Sequence, residues 1–322
     1  MFRTLAKATA AIAVVCTAAG AGLALDEGRA GAATPTAGAA TPTAGAATRT
    51  ASSAGASSAG SAFTGSDFTG TRKIRVDGHS VNVSCAGRAH RGRPLVMLMA
   101  GGGEGLDNMA ALQKSLSRTN RVCSYDRLGE GASDQPAAGT LQTMDDTGAL
   151  LTGVLDRLAG DRPVVLAGHS LGGYIAARYA PGHTDRVKGL VLLDATIPHL
   201  TRDMDRTIPA DATGVPAQVR DGAIAANEGQ NPEQFVIADG PVRSAGHIPV
   251  EILKHESQYA EVPEYGPALE KMWADGQREW QRISARSSLT TAKGSGHYIH
   301  TDRPDLALKA VQKVAHRAAH QH

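Results

Sequence analysis

The stretch Gly168-His169-Ser170-Leu171-Gly172 carries the strongest chemical signal in the chain. It follows the apolar run Pro163 to Ala167 and opens a helically spaced segment, Leu171 to Tyr179. A serine on a strand-to-helix turn between glycines is the pattern of an exposed nucleophile. The turn is too tight for side chains at 168 and 172, and the helix N-terminus beneath the hydroxyl favours negative charge that develops there. His169 reads as a packing neighbour. A serine hydroxyl attacks poorly near neutrality unless an imidazole takes its proton, a carboxylate steadies that imidazole, and N–H donors receive the oxyanion. Twelve histidines and 31 acidic residues are available, so the elements that carry them must select among them.

From residue 71 onward, short apolar runs alternate with helical stretches. The pattern predicts eight strands: Arg72 to Val76, Ser80 to Cys85, Pro94 to Met99, Arg121 to Tyr125, Pro163 to Ala167, Val187 to Leu193, Ile248 to Leu253 and Ser288 to Ala292. The middle runs are continuous rather than alternating, as in parallel strands covered on both faces. Helical spacing recurs at Met109 to Leu116, Thr143 to Leu158 and late in the chain. The order implies an α/β fold with a doubly wound, mostly parallel eight-stranded sheet. Residues 196–246 break the rhythm with five prolines and read as a helical cap insertion over the sheet's C-terminal edge, where such sheets bind ligands.

The first 70 residues read differently. Arg3 and Lys7 precede an uncharged stretch and then small-residue sequence such as Ala30-Gly31-Ala32, so residues 1–32 are expected to be a Sec-type signal peptide and the protein to be secreted. Residues 33–70 repeat Gly-Ala-Ala-Thr-Pro-Thr-Ala and read as a disordered linker, leaving 71–322 as the catalytic domain. Thirty-three Lys plus Arg against 31 Asp plus Glu gives a formal charge of +2, which supplies no basic field for nucleic acid. No stable membrane insertion is expected once the signal is removed. Neither a cofactor nor a metal is implied: His300, His316, His320 and His322 lack compact ligand spacing and read as surface residues.

Three motifs together make the chain resemble an α/β-hydrolase-fold serine hydrolase: the Ser170 turn, the loop Tyr125-Asp126-Arg127-Leu128-Gly129-Glu130-Gly131-Ala132-Ser133, and Gly296-His297-Tyr298-Ile299-His300 followed by Asp302-Arg303-Pro304-Asp305. The resemblance covers the chain after residue 71. It implies that His297, in a Gly-Ser-Gly-His loop after the last strand, is the general base. The family's usual acid position after the seventh strand falls on Gln258, which cannot balance an imidazolium. Attention therefore moves to Asp194, at the end of the sixth strand, with Glu256 as the alternative acid. Asp126 reads as structural within its loop. The oxyanion donors implied are the amides of Leu171 and Gly102, the latter in Ala100-Gly101-Gly102-Gly103, where the family's His-Gly pair is replaced. The usual strand order also puts the second and fourth strands side by side, which implies a Cys85 to Cys123 disulfide, with Cys16 leaving in the signal.

The function these readings favour is a Ser-His-Asp hydrolase cleaving a small-molecule ester or amide through an acyl-enzyme. An aminopeptidase-type hydrolase is the alternative within the class, with cap acids such as Asp203, Asp205, Asp211, Glu228 and Glu233 available to hold an amine. A noncatalytic binding protein on the same scaffold is the alternative outside it. A serine nucleophile argues against epoxide hydrolase or haloalkane dehalogenase chemistry, which needs an Asp.

Overall fold

Runs of Val, Leu and Met without polar interruption must find apolar cover on both faces, and the fold is built around this requirement. The computed structural model describes residues 68–320. Its strands are β1 (Gly70–Val76), β2 (His79–Ala86), β3 (Leu95–Met99), β4 (Val122–Tyr125), β5 (Val164–His169), β6 (Val187–Leu193), β7 (Val250–His255) and β8 (Ser287–Ala292). They form one eight-stranded sheet in the order β1-β2-β4-β3-β5-β6-β7-β8. β2 runs antiparallel to both β1 and β4, and the other pairs are parallel.

The two-residue period of a strand divides each apolar run between two layers. Leu95, Met97 and Met99 of β3 join one layer, with Val164 and Leu166 of β5. It is covered by α2 (Met144–Ala159) and α3 (Ser170–Tyr179). Val96, Leu98, Val165 and Val191 join the other, covered by α1 (Ala110–Leu116) and α8 (Pro304–Ala319). α2 starts at a capping box in which Thr143 and Asp146 satisfy each other's amides, and it stops at Gly160, where φ is 56°.

The insertion expected at 196–246 contains α4 (Leu200–Thr207) and α5 (Gly214–Asn227). Met204, Val219 and Ala223 from these helices share an apolar cluster with Leu269, Met272 and Trp273 of α6 (Gly266–Trp280). A buried guanidinium adds a polar tie. Arg127, in the loop after β4, donates through Nε and Nη2 to both carboxylate oxygens of Glu233 at 2.7 Å. It also donates to the carbonyls of Ala100 and Gly101 at 2.7 Å. One side chain therefore holds the 100–103 loop and the inserted segment together. Nearby, Glu130 accepts from the Gly103 amide at 2.6 Å. Burial and the adjacent Glu233 charge push the Glu130 carboxyl up to about 8.

Cys85 and Cys123 are direct partners in the β2–β4 register and form the disulfide implied by the strand order. β1 takes in Gly70, and Phe68 stacks under the Arg72 guanidinium, so the last residues assigned to the linker belong to the sheet edge. β7 lies two residues later than expected. Pro249 cannot donate to a ladder, and its carbonyl instead accepts from Leu190 at 3.1 Å, so regular pairing starts at Val250 and runs to His255. The signal at 1–32, Cys16, linker residues 33–67 and His322 lie outside the described residues. No helix among the described residues is long and apolar enough to cross a membrane.

Two stability measurements follow from these ties. Replacing both Cys85 and Cys123 by Ala should lower unfolding free energy by about 2–4 kcal/mol, the usual worth of a native bridge. Urea titration of oxidised wild type against the variant would show this, and equal midpoints would contradict it. Arg127→Met leaves Glu233 buried without its cation, at a cost of about 3–5 kcal/mol. An unchanged urea midpoint would mean the pair does not join loop and cap.

Candidate active site

β5 delivers Ser170 directly onto the first turn of α3, with φ of 48°. A left-handed serine is strained, and its neighbours leave no room to relax it. A Cβ on Gly168 would lie 2.4 Å from the Gly172 carbonyl carbon, and one on Gly172 would lie 2.4 Å from the Ala100 carbonyl oxygen. The chain can pass here only as glycine, which is the physical content of the motif. The Ser170 carbonyl accepts from the Thr196 amide at 3.1 Å, joining the turn to the chain leaving β6.

Asp194 follows β6 and also has a positive φ, 49°. Its side chain is fully buried. The Oδ2 atom accepts from His297 Nδ1 at 2.7 Å, so the two residues the sequence pairs are brought together. His297 comes from the loop between β8 and the short helix α7 (Ile299–Asp302). With Nδ1 donating to the carboxylate, Nε2 carries the lone pair in the neutral ring. Ser170 and His297 line the same cavity, of about 120 Å³. Burial lowers the His297 pKa, and the neighbouring His169 and His255 add to this, although Asp194 opposes it.

Asp194 has more partners than sequence reasoning supplied. Its Oδ1 accepts from the His255 amide at 3.0 Å and from Trp273 Nε1 at 2.9 Å. Its Oδ2 also accepts from His255 Nδ1 at 2.7 Å. His255 Nε2 in turn meets Glu270 Oε2 at 2.8 Å. Burial would raise the Asp194 carboxyl, but the charges and ring bonds of His255 and His297 hold it far below the ordinary carboxylate range. His255, Trp273 and Glu270 carried no motif. The one available hint was a histidine close to the vacant acid position at Gln258. Gln258 itself lines the cavity, while Glu256 is exposed and accepts the Gly294 amide at 2.8 Å rather than reaching His297.

The 100–103 loop, expected to supply an oxyanion donor, is held by two carboxylates. The Gly101 amide donates to Glu104 at 2.7 Å and the Gly103 amide to Glu130 at 2.6 Å, on either side of Gly102. A Cβ on Gly102 would lie 3.2 Å from the Leu171 side chain, so the two residues named as donors are adjacent. His169 is a buried packing residue with a further duty: Nδ1 faces Glu104 at 3.2 Å and Nε2 faces the His297 carbonyl at 3.1 Å. Burial would raise the Glu104 carboxyl, but the His169 bond and charge and the Gly101 amide bring it down to about 2. Asp126 keeps the structural role read for it, accepting from Asn82 and from the amides of Leu106 and Ala132.

His300 corrects the sequence reading. It is 5% exposed, with its ring 4.7 Å from that of His169, because α7 turns the chain inward after His297. Burial and the neighbouring histidines press its pKa down to about 3. His316 and His320 are exposed, as expected.

Among the described residues, the Asp194, His255 and His297 atoms are the group close enough together for a cation. Both imidazole Nδ1 atoms, however, donate protons to the carboxylate, and a metal would need lone pairs there.

The curated relatives match parts of this architecture. The proline iminopeptidase of Saccharolobus solfataricus is 30% identical over 118 residues, 36% of this chain and 38% of that protein. Among solved structures, the enol-lactonase from Burkholderia xenovorans superposes with a TM-score of 0.55 at 19% identity, covering 76% of this chain and 99% of that one. A carboxylesterase from Bacillus subtilis gives 0.54 at 16% identity, covering 77% and 91%. The alpha/beta hydrolase fold model matches residues 94–302, from the start of β3 to the end of α7. With that span and this sheet order, the chain belongs to the α/β hydrolase fold family.

Proposed function

We propose that this protein is an exported serine hydrolase that cleaves neutral esters through an acyl-enzyme. The observation that carries the reading is the 2.7 Å bond from His297 to buried Asp194 at a cavity that Ser170 also lines. Ser170 Oγ attacks the carbonyl while His297 Nε2 takes its proton, and Asp194 balances the resulting imidazolium. The oxyanion is received by the Leu171 and Gly102 amides. His297 then protonates the leaving alcohol, and water releases the acid by the same route in reverse.

The cavity wall favours an ester over a peptide amine. Leu200, Met204, Ala223, Ile237 and Trp273 supply apolar surface, and the lining includes no Asp, Glu, Lys or Arg. Glu233, the buried cap carboxylate, is committed to Arg127, and Asp203 and Asp205 are paired with Arg202 and Arg220. A substrate ammonium entering this cavity would be desolvated without a carboxylate to balance its charge. Export rests on the N-terminal sequence pattern, and the Cys85–Cys123 bridge agrees with an oxidising destination.

A fluorophosphonate probe should label wild type and spare Ser170→Ala; folded wild type that stays unlabelled makes the chain a binding scaffold instead. Asp194→Asn should cut kcat by about 10⁴-fold, and Glu256→Gln should leave it unchanged. The opposite ranking would move the acid to Glu256. Among p-nitrophenyl esters, acetate and butyrate should be turned over faster than palmitate, and aminoacyl p-nitroanilides hardly at all. Faster turnover of the anilides would favour the aminopeptidase reading.

The reaction needs neutral His297, so activity falls as pH drops through its pKa. Because burial lowers that value, the acid limb of kcat/KM should lie below about pH 6.5, the ordinary imidazole value. A limb above that value in the pH–rate profile would contradict the assigned environment.

A further inference from the structure

We propose that His255 is a positioning residue for the catalytic acid: held as a cation between Asp194 and Glu270, it shares Asp194 Oδ2 with His297 and so sets how strongly that carboxylate retains a charged His297. The inference rests on the Ser-His-Asp reading and adds a second imidazole to it.

The geometry carries the argument. His255 Nδ1 lies 2.7 Å from Asp194 Oδ2, and Nε2 lies 2.8 Å from Glu270 Oε2. Ionised carboxylates only accept, so a ring that satisfies both must donate from both nitrogens, and only the imidazolium does. Glu270 is fixed for this task by the Gln258 and Tyr259 amides, and Ser257 reaches it at 3.3 Å. The other neighbours do not compete for the ring. Trp273 stacks at 6.0 Å and Tyr259 sits edge-on at 6.1 Å, its phenol kept neutral by burial. The Lys254 ammonium donates to the His255 carbonyl at 3.0 Å rather than facing the ring. The two carboxylates accordingly push the His255 pKa up to about 9 against the opposing effect of burial.

The charges then sum in a useful way. Asp194 and Glu270 carry two negative charges and His255 one positive, so the cluster beside His297 is a net monoanion. When His297 takes the serine proton, the cluster becomes neutral rather than retaining a buried excess of either sign. Without the His255 cation, a dianion would hold the His297 proton too tightly, and the base would stay protonated to higher pH. Without Glu270, the cluster would be neutral before the reaction and would resist the proton.

The test is the pH dependence of kcat/KM for a neutral ester. His255→Asn keeps a donor toward Asp194 but removes the cation, and it should raise the acid limb by about one pH unit. Glu270→Gln should move the limb the opposite way. A merely structural role would lower rates without moving the two limbs in opposite directions. A His255→Asn profile that coincides with wild type, or a Glu270→Gln limb that does not fall, overturns the proposal. Should either variant fail to fold, ring ¹⁵N spectra of histidine-labelled wild type decide: His255 is expected doubly protonated at about pH 7.5, and a neutral ring overturns the proposal. Fluorophosphonate labelling of wild type is scored separately. If Ser170 is unreactive, the hydrolase reading fails, while the spectra still report the charge on His255.

Discussion

The site depends on one buried carboxylate. Asp194 has no exposed surface, and an ion there is tolerable only if its lone pairs are filled. Four donors fill them: the His255 amide and Trp273 indole on Oδ1, and the His255 and His297 rings on Oδ2. They come from three different pieces of the fold. β7 supplies His255, α6 supplies Trp273, and the loop after β8 supplies His297. Satisfying Asp194 therefore fixes the register of β7 against β6, the seat of α6 and the position of the base at once. The left-handed backbone at Asp194 is the strain accepted for aiming the carboxylate this way.

The same logic explains what sequence could and could not show. The continuous apolar runs of β3, β5 and β6 required a doubly covered sheet, and the glycines around Ser170 required a turn that nothing bulkier could make. Those constraints are local, so they are visible in the string. Asp194 became legible because the usual acid position holds Gln258 and because Asp194 ends a strand. His255 and Glu270 were not legible. Their role depends on Pro249 delaying β7 and on α6 folding back over its end, contacts that join residues 61 and 15 positions apart. His300 was misread for the same reason, since nothing in a Gly-His-Tyr-Ile-His string says that the next helix turns inward.

The loops around the cavity are tied to one another behind its surface. Glu104 and His169 connect the Gly101 amide to the His297 carbonyl, so the 100–103 loop, the Ser170 turn and the His297 loop share one hydrogen-bonded chain. Arg127 ties the same 100–103 loop to Glu233 in the inserted segment. The inserted segment and the 100–103 loop are thereby joined through buried contacts. Preorganised donors are worth most when they need not move as charge develops, and in the proposed reaction these ties would serve that end.

The fixed charges near the cavity are held outside its wall. Arg127, Glu104 and the Asp194–His255–Glu270 cluster all sit behind the wall, while its lining carries no formal charge besides a protonated His297. An uncharged substrate then enters without competing for the buried ions. In the proposed reaction those charges would act on it only as an oxyanion and an imidazolium form, in an interior where water screens little. In the proposed ester reaction, selectivity would fall to the shape of the apolar surface from α4, α5 and α6, the first two of which lie in the stretch where the sequence pattern was least regular.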